Sequence, residues 1–236
     1  DFNGDGRPDL LVTALKGETF PLFVNDGSLM FRDGTHEAKL TGPSSQRSGW
    51  GVSLADIDND GRPDAVIANS HVNDRIDQFE ASSYKEANAI LLNRSSGFED
   101  LTTQAGSGLA TAIAAHRGLV VADLDNDGRL DFVTTSLGGP VEVWRNAGPA
   151  GHWVRVRLRG RTSNRDGLGA TVIVNGRHII VSSADGYASS VLQGVHAGLG
   201  TATTPPKIEV RWPSGRVQVI EAPGIDQVVE ITEPEA

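Results

Sequence analysis

Three nine-residue segments of this chain decide its fold, and each places acidic residues around a glycine. They read Asp1-Phe-Asn-Gly-Asp-Gly-Arg-Pro-Asp9, Asp56-Ile-Asp-Asn-Asp-Gly-Arg-Pro-Asp64 and Asp123-Leu-Asp-Asn-Asp-Gly-Arg-Leu-Asp131. Their first residues are 1, 56 and 123, so the copies begin 55 and 67 positions apart. Repeats at such spacing are typical of stacked supersecondary units, either propeller blades or a solenoid.

The sequences around the three segments repeat as well. Each segment is followed at once by a short apolar run, and a later apolar run ends in an asparagine, at Asn25, Asn93 and Asn146. A turn and one more short strand follow in the first two units. This order predicts four short antiparallel strands per unit, as in the blade of a β-propeller, with the fourth strand missing from the third unit. The sequence therefore predicts an all-β fold with an incomplete propeller over residues 1–146.

Each segment carries oxygen-bearing side chains at its positions 1, 3, 5 and 9, and a glycine at position 6 that allows a sharp turn. Ca²⁺ prefers about six to eight oxygen ligands in flexible geometry, and the backbone carbonyl at position 7 would add one. We therefore predict about three Ca²⁺ ions, one in each loop. The predicted ligands, in which the arginines contribute carbonyl oxygens, are Asp1, Asn3, Asp5, Arg7, Asp9, Asp56, Asp58, Asp60, Arg62, Asp64, Asp123, Asp125, Asp127, Arg129 and Asp131.

Other interpretations of the three loops fit the sequence less well. A hairpin turn rich in Asp, Asn and Gly is common, but three copies with the same oxygen positions favour a metal. An EF-hand needs a glutamate at position 12, whereas these loops have Val12, Ile67 and Thr134 there, inside strand-like runs. Mg²⁺ is disfavoured because it prefers rigid octahedral geometry and retains water.

The acidic excess of the chain is concentrated in these loops. The formal net charge is -9, from 30 acidic residues against 21 lysines and arginines. The first loop holds three carboxylates and the other two hold four each, which is 11 of the 30. Because clustered like charges disfavour ionisation unless a cation compensates them, we expect the ions to be structural: they fix the blade geometry and do no chemistry.

Composition limits the class of protein. Hydrophobic residues make up 38% of the 236 residues, and no run approaches the ~20 apolar residues of a membrane-spanning helix. The chain has no cysteine, so it contains neither disulfides nor thiolate metal sites. This favours a bacterial envelope or secreted protein over a disulfide-rich animal one. The chain opens inside a loop motif, which indicates a processed or partial chain.

A different pattern begins after the glycine-rich stretch 147–151, and it predicts a separate small β-sandwich or barrel over residues 151–236. Apolar residues and arginines alternate from 154 to 159, as in a half-buried strand. Asn175-Gly176 stands between two β-branched runs and predicts a type I′ hairpin. Further strand-like runs lie at 207–212, 216–221 and 227–231.

The sequence allows more than one role for each of two further segments. The stripe Arg155, Arg157 and Arg159 could bind a polyanion such as a sulfated glycan. More commonly such a stripe is a solvated strand face, or it docks on an acidic neighbour. Segment 70–88 makes the second unit longer than the others, and it is either a binding loop on a rigid scaffold or a tolerated insertion.

The loops and their flanks resemble the FG-GAP/VCBS repeats of integrin α-type propellers over about residues 1–146. Trp50-Gly51 stands where those repeats place an aromatic-glycine pair, whereas the Gly-Ala-Pro element has no match. From residue 151 the chain resembles the ASPIC/UnbV domain that follows such repeats. The matching residues are His152-Trp153, Ser163–Gly169, Gly186-Tyr187, His196–Gly200 and Trp212–Gly215. The resemblance implies calcium-binding repeats, an extracellular or envelope location and a recognition role, and it supplies no catalytic residues.

No pattern in the sequence indicates catalysis. The six histidines are scattered, and there is no G-x-S-x-G nucleophile motif, so we expect no enzyme activity.

We expect instead a calcium-stabilised recognition, adhesion or assembly module that binds protein or glycan outside the cell, at the cell surface or in the periplasm. Self-association through open sheet edges is a further option. The alternatives are a structural subunit of a surface filament and a non-catalytic part of a larger propeller enzyme. Nucleic acid is not an expected partner, because the chain is acidic and carries no recognition motif.

Overall fold

The computed structural model describes residues 1–106 and 108–235, and its regular elements are almost all short β-strands, which confirms the predicted all-β class. The first ten strands are β1 (Leu10–Leu11), β2 (Leu22–Asn25), β3 (Phe31–Asp33), β4 (Gly49–Ala55), β5 (Asp64–Asn69), β6 (Ala89–Arg94), β7 (Gly97–Asp100), β8 (His116–Ala122), β9 (Asp131–Ser136) and β10 (Glu142–Trp144). The others are β11 (His152–Arg159), β12 (Thr171–Val174), β13 (Arg177–Ile180), β14 (Ala184–Asp185), β15 (Ser189–Ser190), β16 (Val195–Gly200), β17 (Ile208–Arg211), β18 (Val217–Ile220) and β19 (Gln227–Thr232). Within these ranges the helical elements are α1 (Thr41–Ser45) and the 3₁₀ turns Ile76–Gln78 and Leu109–Thr111.

The three Asp-rich units form three antiparallel sheets, which we call blades one, two and three. Blade two has four strands in the order β4-β5-β6-β7, whereas blade one has β1-β2-β3 and blade three has β10-β9-β8. β5 is buried along its whole length, because its apolar side chains meet a neighbouring blade on each face. The absence of a fourth strand from blade three, within the described residues, agrees with the sequence pattern.

Two apolar cores lie between successive blades. The core between blades one and two contains Leu22 and Phe98, and the ring of Phe98 stacks on Phe2 with the ring centroids 5.5 Å apart. The core between blades two and three contains Leu92 and Phe132. Each blade therefore buries one face against the next, which is how propeller blades are stabilised.

The C-terminal unit (residues 151–235) has its own apolar core between two sheets. One sheet has the order β16-β11-β19, with β11 and β19 parallel, and the other has the order β13-β12-β17-β18. Residues from both sheets, such as Val156 and Val172, are fully buried in this core. Asn175 and Gly176 have φ of 49° and 86° and join β12 to β13, so the hairpin predicted from this pair is present.

A small hairpin of the C-terminal unit, β14-β15, covers the free edge of β8. The N–H of Val121 donates to the carboxylate of Asp185 at 2.8 Å, and the N–H of Leu119 donates to the hydroxyl of Ser189 at 3.2 Å. An edge strand with unpaired N–H groups invites pairing with another chain. Side chains of the same molecule therefore cover an edge at which the sequence suggested self-association.

Glu233 holds the loop at residues 161–163 in place from the end of β19. Its side chain is buried, and its carboxylate accepts five hydrogen bonds, three from backbone N–H groups of residues 161–163 and two from the hydroxyls of Ser163 and Ser214. Burial alone would raise the pKa of this carboxyl, but the hydrogen bonds from the Ser214 hydroxyl and from the loop outweigh it and lower the pKa to about 2.

We expect Glu233→Gln to lower the thermal midpoint at neutral pH, because the amide cannot accept all five hydrogen bonds. A carboxyl whose pKa is lowered by folding stabilises the fold above its ordinary pKa near 4.5, and that contribution disappears as the pH falls towards 2. The difference in midpoint between parent and variant should therefore shrink between those two pH values, measured by circular dichroism. Glu235→Gln, at a largely exposed side chain, should show no such trend. A pH-independent difference for Glu233→Gln would contradict this account.

Candidate metal loops and their contacts with the C-terminal unit

Position 9 of each loop ties the start of the loop to a strand of the same blade. In the second loop one carboxylate oxygen of Asp64 accepts the N–H of Ile57 at 2.8 Å, and the other accepts the N–H of Asn93 at 2.7 Å. The same two hydrogen bonds recur at Asp9 and Asp131. The repeated asparagine of the sequence therefore marks the residue whose N–H group closes each loop.

The arginine at position 7 fixes the loop from the other side. The Nε of Arg62 donates to the backbone oxygen of Asn93 at 2.7 Å, and its guanidinium pairs with the carboxylate of Asp60 at position 5. Arg7 and Arg129 repeat both contacts in their own loops. Because the side chain is engaged in this way, only the backbone carbonyl at position 7 is available to a metal ion.

The second and third loops bring carboxylates together in the way a cation site requires. Oxygen atoms of Asp56, Asp58 and Asp60 lie within 4.8 Å of one another, as do those of Asp123, Asp125 and Asp131. The first loop, with an asparagine at position 3, does not bring three carboxylates this close in the described residues. The structure thus places the sequence-predicted groups together most closely in two of the three loops.

The second loop fits a hard cation because one buried carboxylate oxygen in it lacks a hydrogen-bond partner among the described residues. Oδ1 of Asp56 is buried and has no hydrogen-bond partner among the described residues. Burial raises the pKa of Asp56 to about 6 and that of Asp64 to about 7. A divalent cation bound by these oxygens would offset the burial cost of their charge, and oxygen is the donor that Ca²⁺ prefers.

The C-terminal unit docks on the loops through two arginines that contact position 1. Arg155, only 1% exposed, lies 3.3 Å from the carboxylate of Asp123 and donates to the side-chain oxygen of Asn126 at 2.6 Å. Arg177 lies 3.4 Å from the carboxylate of Asp56. No sequence signal pointed to Arg177, because nothing local links a hairpin arginine to a loop 121 residues away.

The arginine stripe of β11 is therefore divided between two roles. Arg155 docks on an acidic neighbour, which was one of the three interpretations open from the sequence, and the predicted burial alternation fails at this residue. Arg157 and Arg159 are exposed, and Arg159 lies 3.4 Å from Glu230 on β19. β11 thus faces the third loop at Arg155 and solvent at the next two arginines.

Asn59, at position 4 of the second loop, joins three parts of the chain. Its side-chain nitrogen donates to the carbonyl oxygens of Gly128 in the third loop and Gly151 in the linker, at 2.9 and 3.2 Å. Its side-chain oxygen lies 2.7 Å from Nε2 of His196, and burial lowers the pKa of this histidine to about 4. A neutral imidazole can donate from Nε2 to that oxygen. Sequence reasoning missed Asn59, because its oxygen is not at a ligand position.

Segment 70–88 packs partly on the rest of blade two. Trp50 donates its indole N–H to the carbonyl oxygen of Ser70 at 2.9 Å, and the guanidinium of Arg117 lies over the Trp50 ring, 4.0 Å from the ring centroid. His71 is buried, whereas Phe79 is 73% exposed. The beginning of the segment is therefore anchored, and its middle reaches into solvent.

Among the described residues, no helix combines the length and the apolar character needed to cross a membrane.

Comparisons with known proteins agree with this architecture. The family model described as FG-GAP-like repeat matches residues 1–67 and 73–134, and the model described as ASPIC and UnbV matches residues 160–236. Cartilage acidic protein 1 of Mus musculus is 29% identical over 251 residues, which cover 100% of this chain and 36% of the relative. The Homo sapiens protein of that name is 29% identical over 250 residues (99% and 35%), and the Xenopus tropicalis protein is 26% identical over 249 residues (99% and 36%).

The chain spans about a third of the length of these curated relatives. All three are vertebrate proteins, so they give no support to the expected bacterial source. The repeat model covers more than half of the chain, and the second model covers most of the remaining C-terminal residues. The chain belongs to the FG-GAP-like repeat family, with an ASPIC and UnbV domain after its repeats.

Proposed function

We propose that this chain is a calcium-stabilised, non-enzymatic binding module that acts outside the cell. Two parts make up the module, the propeller blades at residues 1–146 and the β domain at residues 151–236. Ca²⁺ ions held by the predicted ligands fix the loops on which the β domain docks. The rigid array then presents its surfaces to a protein or glycan partner. An extracellular setting suits such loops, because extracellular calcium modules typically bind with a Kd of about 10⁻⁴–10⁻³ M.

One observation carries this proposal: among the described residues the buried Oδ1 of Asp56 has no hydrogen-bond partner, and it lies in a loop whose carboxylates approach one another within 4.8 Å. Such a carboxylate oxygen calls for a cation, since an uncompensated buried charge is strongly unfavourable. Arg177 lies nearby at 3.4 Å from the other oxygen, Oδ2, and so leaves Oδ1 free. Because the C-terminal unit docks on this loop through Arg177, an ordered loop also holds the C-terminal unit in place.

The alternatives from the sequence are less well supported by the contacts. A filament subunit sealed edge to edge needs free sheet edges, and of the two edge strands of blade three, β8 is covered from within the chain and β10 alone is open. A propeller enzyme needs convergent titratable groups in a cleft. The acidic groups with shifted pKa values are partly loop carboxylates that we assign to the metal sites, such as Asp56 and Asp64. Others are carboxylates held by backbone and hydroxyl hydrogen bonds, such as Asp185 and Glu233.

We expect 10 mM Ca²⁺ to raise the thermal midpoint relative to excess chelator. For a Kd of about 10⁻⁴–10⁻³ M, each site contributes roughly 1.4–2.7 kcal/mol of stabilisation by mass action. In a chain of this size each kcal/mol corresponds to about 2–4 °C. Differential scanning calorimetry measures the shift, and isothermal titration calorimetry measures the number of sites.

Asp56→Asn should reduce the calcium-dependent shift, because it removes a ligand charge at position 1 of the second loop. Asp26→Asn is a matched control, because Asp26 is exposed and lies outside the loops. An identical midpoint in calcium and in chelator, with the parent chain folded in both, would remove the basis for the proposal.

A further inference from the structure

Blade three has an open groove at the place where blade two has its fourth strand. The groove has a volume of about 620 Å³ and lies beside β10. Residues that line it include Ile57, Leu92, Leu101, Ala105, Phe132 and Trp144. β10 is the last strand of its sheet, and its outer edge pairs with no described residue. The indole N–H of Trp144 is buried there without a hydrogen-bond partner in the described part of the chain.

The corresponding place between blades one and two is filled by Phe98 of β7. In the pairing of β6 with β7, Phe98 lies opposite Asn93. Its ring stacks on Phe2, at position 2 of the first loop, and its N–H donates to the carbonyl oxygen of Ala38 at 2.8 Å. Phe98 is consequently only 5% exposed.

Residues at the equivalent positions of the next repeat line the groove. Position 2 of the loop is Phe2 in the first unit and Ile57 in the second. Ala38 and Ala105 both come seven residues after the fourth-strand phenylalanine of their blade. Ile57 and Ala105 both line the groove, so the groove is the equivalent of the Phe98 site with its aromatic residue missing.

The backbone of β10 offers the matching hydrogen bonds. In blade two the N–H of Ile90 donates to the hydroxyl oxygen of Thr102 at 3.3 Å, and the carbonyl of Ile90 accepts the N–H of Leu101 at 3.0 Å. Val143 takes the register position of Ile90 in blade three, because both lie opposite the valine two residues after the loop aspartate at position 9. The N–H and C=O of Val143 therefore face the open edge.

The two existing fourth strands define the chemistry that this edge accepts. They read Phe31-Arg-Asp-Gly-Thr35 and Phe98-Glu-Asp-Leu-Thr102, which share the pattern Phe-x-Asp-x-Thr. In both, the aspartate accepts the N–H of the threonine, and the threonine hydroxyl accepts an N–H of the neighbouring strand. Arg94 and Arg145 also line the groove, but they already pair with carboxylates of the second and third loops, so their charge does not select the segment.

We propose that this groove binds an extended strand of another polypeptide that carries the pattern Phe-x-Asp-x-Thr. The strand adds to β10 in the antiparallel sense, its phenylalanine enters the groove and its aspartate caps the turn beyond it. Main-chain hydrogen bonds supply affinity in such strand addition, and the aromatic pocket supplies specificity. This inference rests on the proposed binding role of the chain and names the partner's chemistry.

A labelled peptide with the sequence of residues 95–102, Ser-Ser-Gly-Phe-Glu-Asp-Leu-Thr, tests this proposal by fluorescence anisotropy against the whole chain. We expect saturable binding that weakens roughly tenfold or more when alanine replaces the phenylalanine, because a buried aromatic anchor dominates such interfaces. In the protein, Ala105→Glu should weaken binding of the parent peptide to a similar extent, because it places a carboxylate in the groove. Thr103→Glu is the matched control, since residues 103 and 105 are both exposed and only residue 105 lines the groove.

Several outcomes would overturn this inference: no binding of the peptide, equal binding of the two peptides, or equal binding to the parent chain and to Ala105→Glu. Sedimentation of the chain alone tests whether a second copy of the chain occupies the groove instead. A dimer that Ala105→Glu dissociates would show that a second copy fills the groove and that the proposed partner is wrong. If calcium raises the thermal midpoint but no peptide binds, only the groove proposal fails. If the peptide binds and calcium has no effect, only the calcium-dependent role fails.

Discussion

Gly128→Ala is expected to destabilise the chain far more than the same change at Gly61, although both glycines hold position 6 of their loops. Both have positive φ, 84° and 94°, at which an alanine costs about 1–2 kcal/mol. A Cβ on Gly128 would in addition overlap the indole of Trp153, whereas the nearest atom to one on Gly61 is the carbonyl oxygen of Gly198 at 3.7 Å. Displacing a packed side chain typically adds about 1–3 kcal/mol.

Urea unfolding followed by circular dichroism measures both variants, and tryptophan fluorescence reports on the Trp153 contact. We expect Gly61→Ala to lose only the conformational contribution, and Gly128→Ala to lose the conformational and the packing contributions together. Because the two loops share Asp-Asn-Asp-Gly-Arg around the glycine, the comparison isolates the effect of the C-terminal unit. Equal destabilisation would mean that Trp153 does not pack against the third loop.

Arg155→Met is expected to lower the free energy of unfolding by about 3–5 kcal/mol, because it leaves the buried carboxylate of Asp123 without its charged partner. The side chains of Arg155 and Asp123 are 2% and 0% exposed. Burial lowers the pKa of Arg155, and the nearby Asp123 opposes that shift. Methionine fills a comparable volume, and the loss therefore reports on charge and hydrogen bonding more than on packing.

Arg157→Met provides the control, since Arg157 is exposed two residues further along β11. Surface changes of this kind usually stay within about 0.5 kcal/mol of the parent. If the third loop holds Ca²⁺, the loss at Arg155 should be larger in chelator than in calcium, because the ion also compensates Asp123. Equal stability of the two variants would contradict the buried pairing.

The sequence was sufficient to predict the strands of the blades, because the residues that specify them are close together in the chain and repeated. Apolar runs at fixed distances from Asp9, Asp64 and Asp131 specify the strands, and three copies of one pattern exclude a chance turn. The position-9 aspartate and the later asparagine were both visible as repeated residues. Their hydrogen bond at 2.7–2.8 Å was not, since it joins residues 15 to 29 positions apart.

The roles of individual polar residues could not be derived in the same way. Asn59 looked like a spacer between ligands, yet it contacts another loop, the linker and His196. Arg155 looked like one member of an exposed stripe, yet it is buried against Asp123. A strand pattern predicts which face a residue occupies, but it does not reveal which other unit covers that face.

The sequence by itself determined the all-β class, the repeated blade, the oxygen-rich loops and the change of pattern after residue 146, because each depends on residues close together in the chain. Only the tertiary structure decided which carboxylates come within 4.8 Å of one another, which arginine is buried and which blade keeps an open groove. These features depend on how separate units pack. Packing places residues far apart in sequence side by side, and their electrostatic and steric interactions have no signature in local spacing.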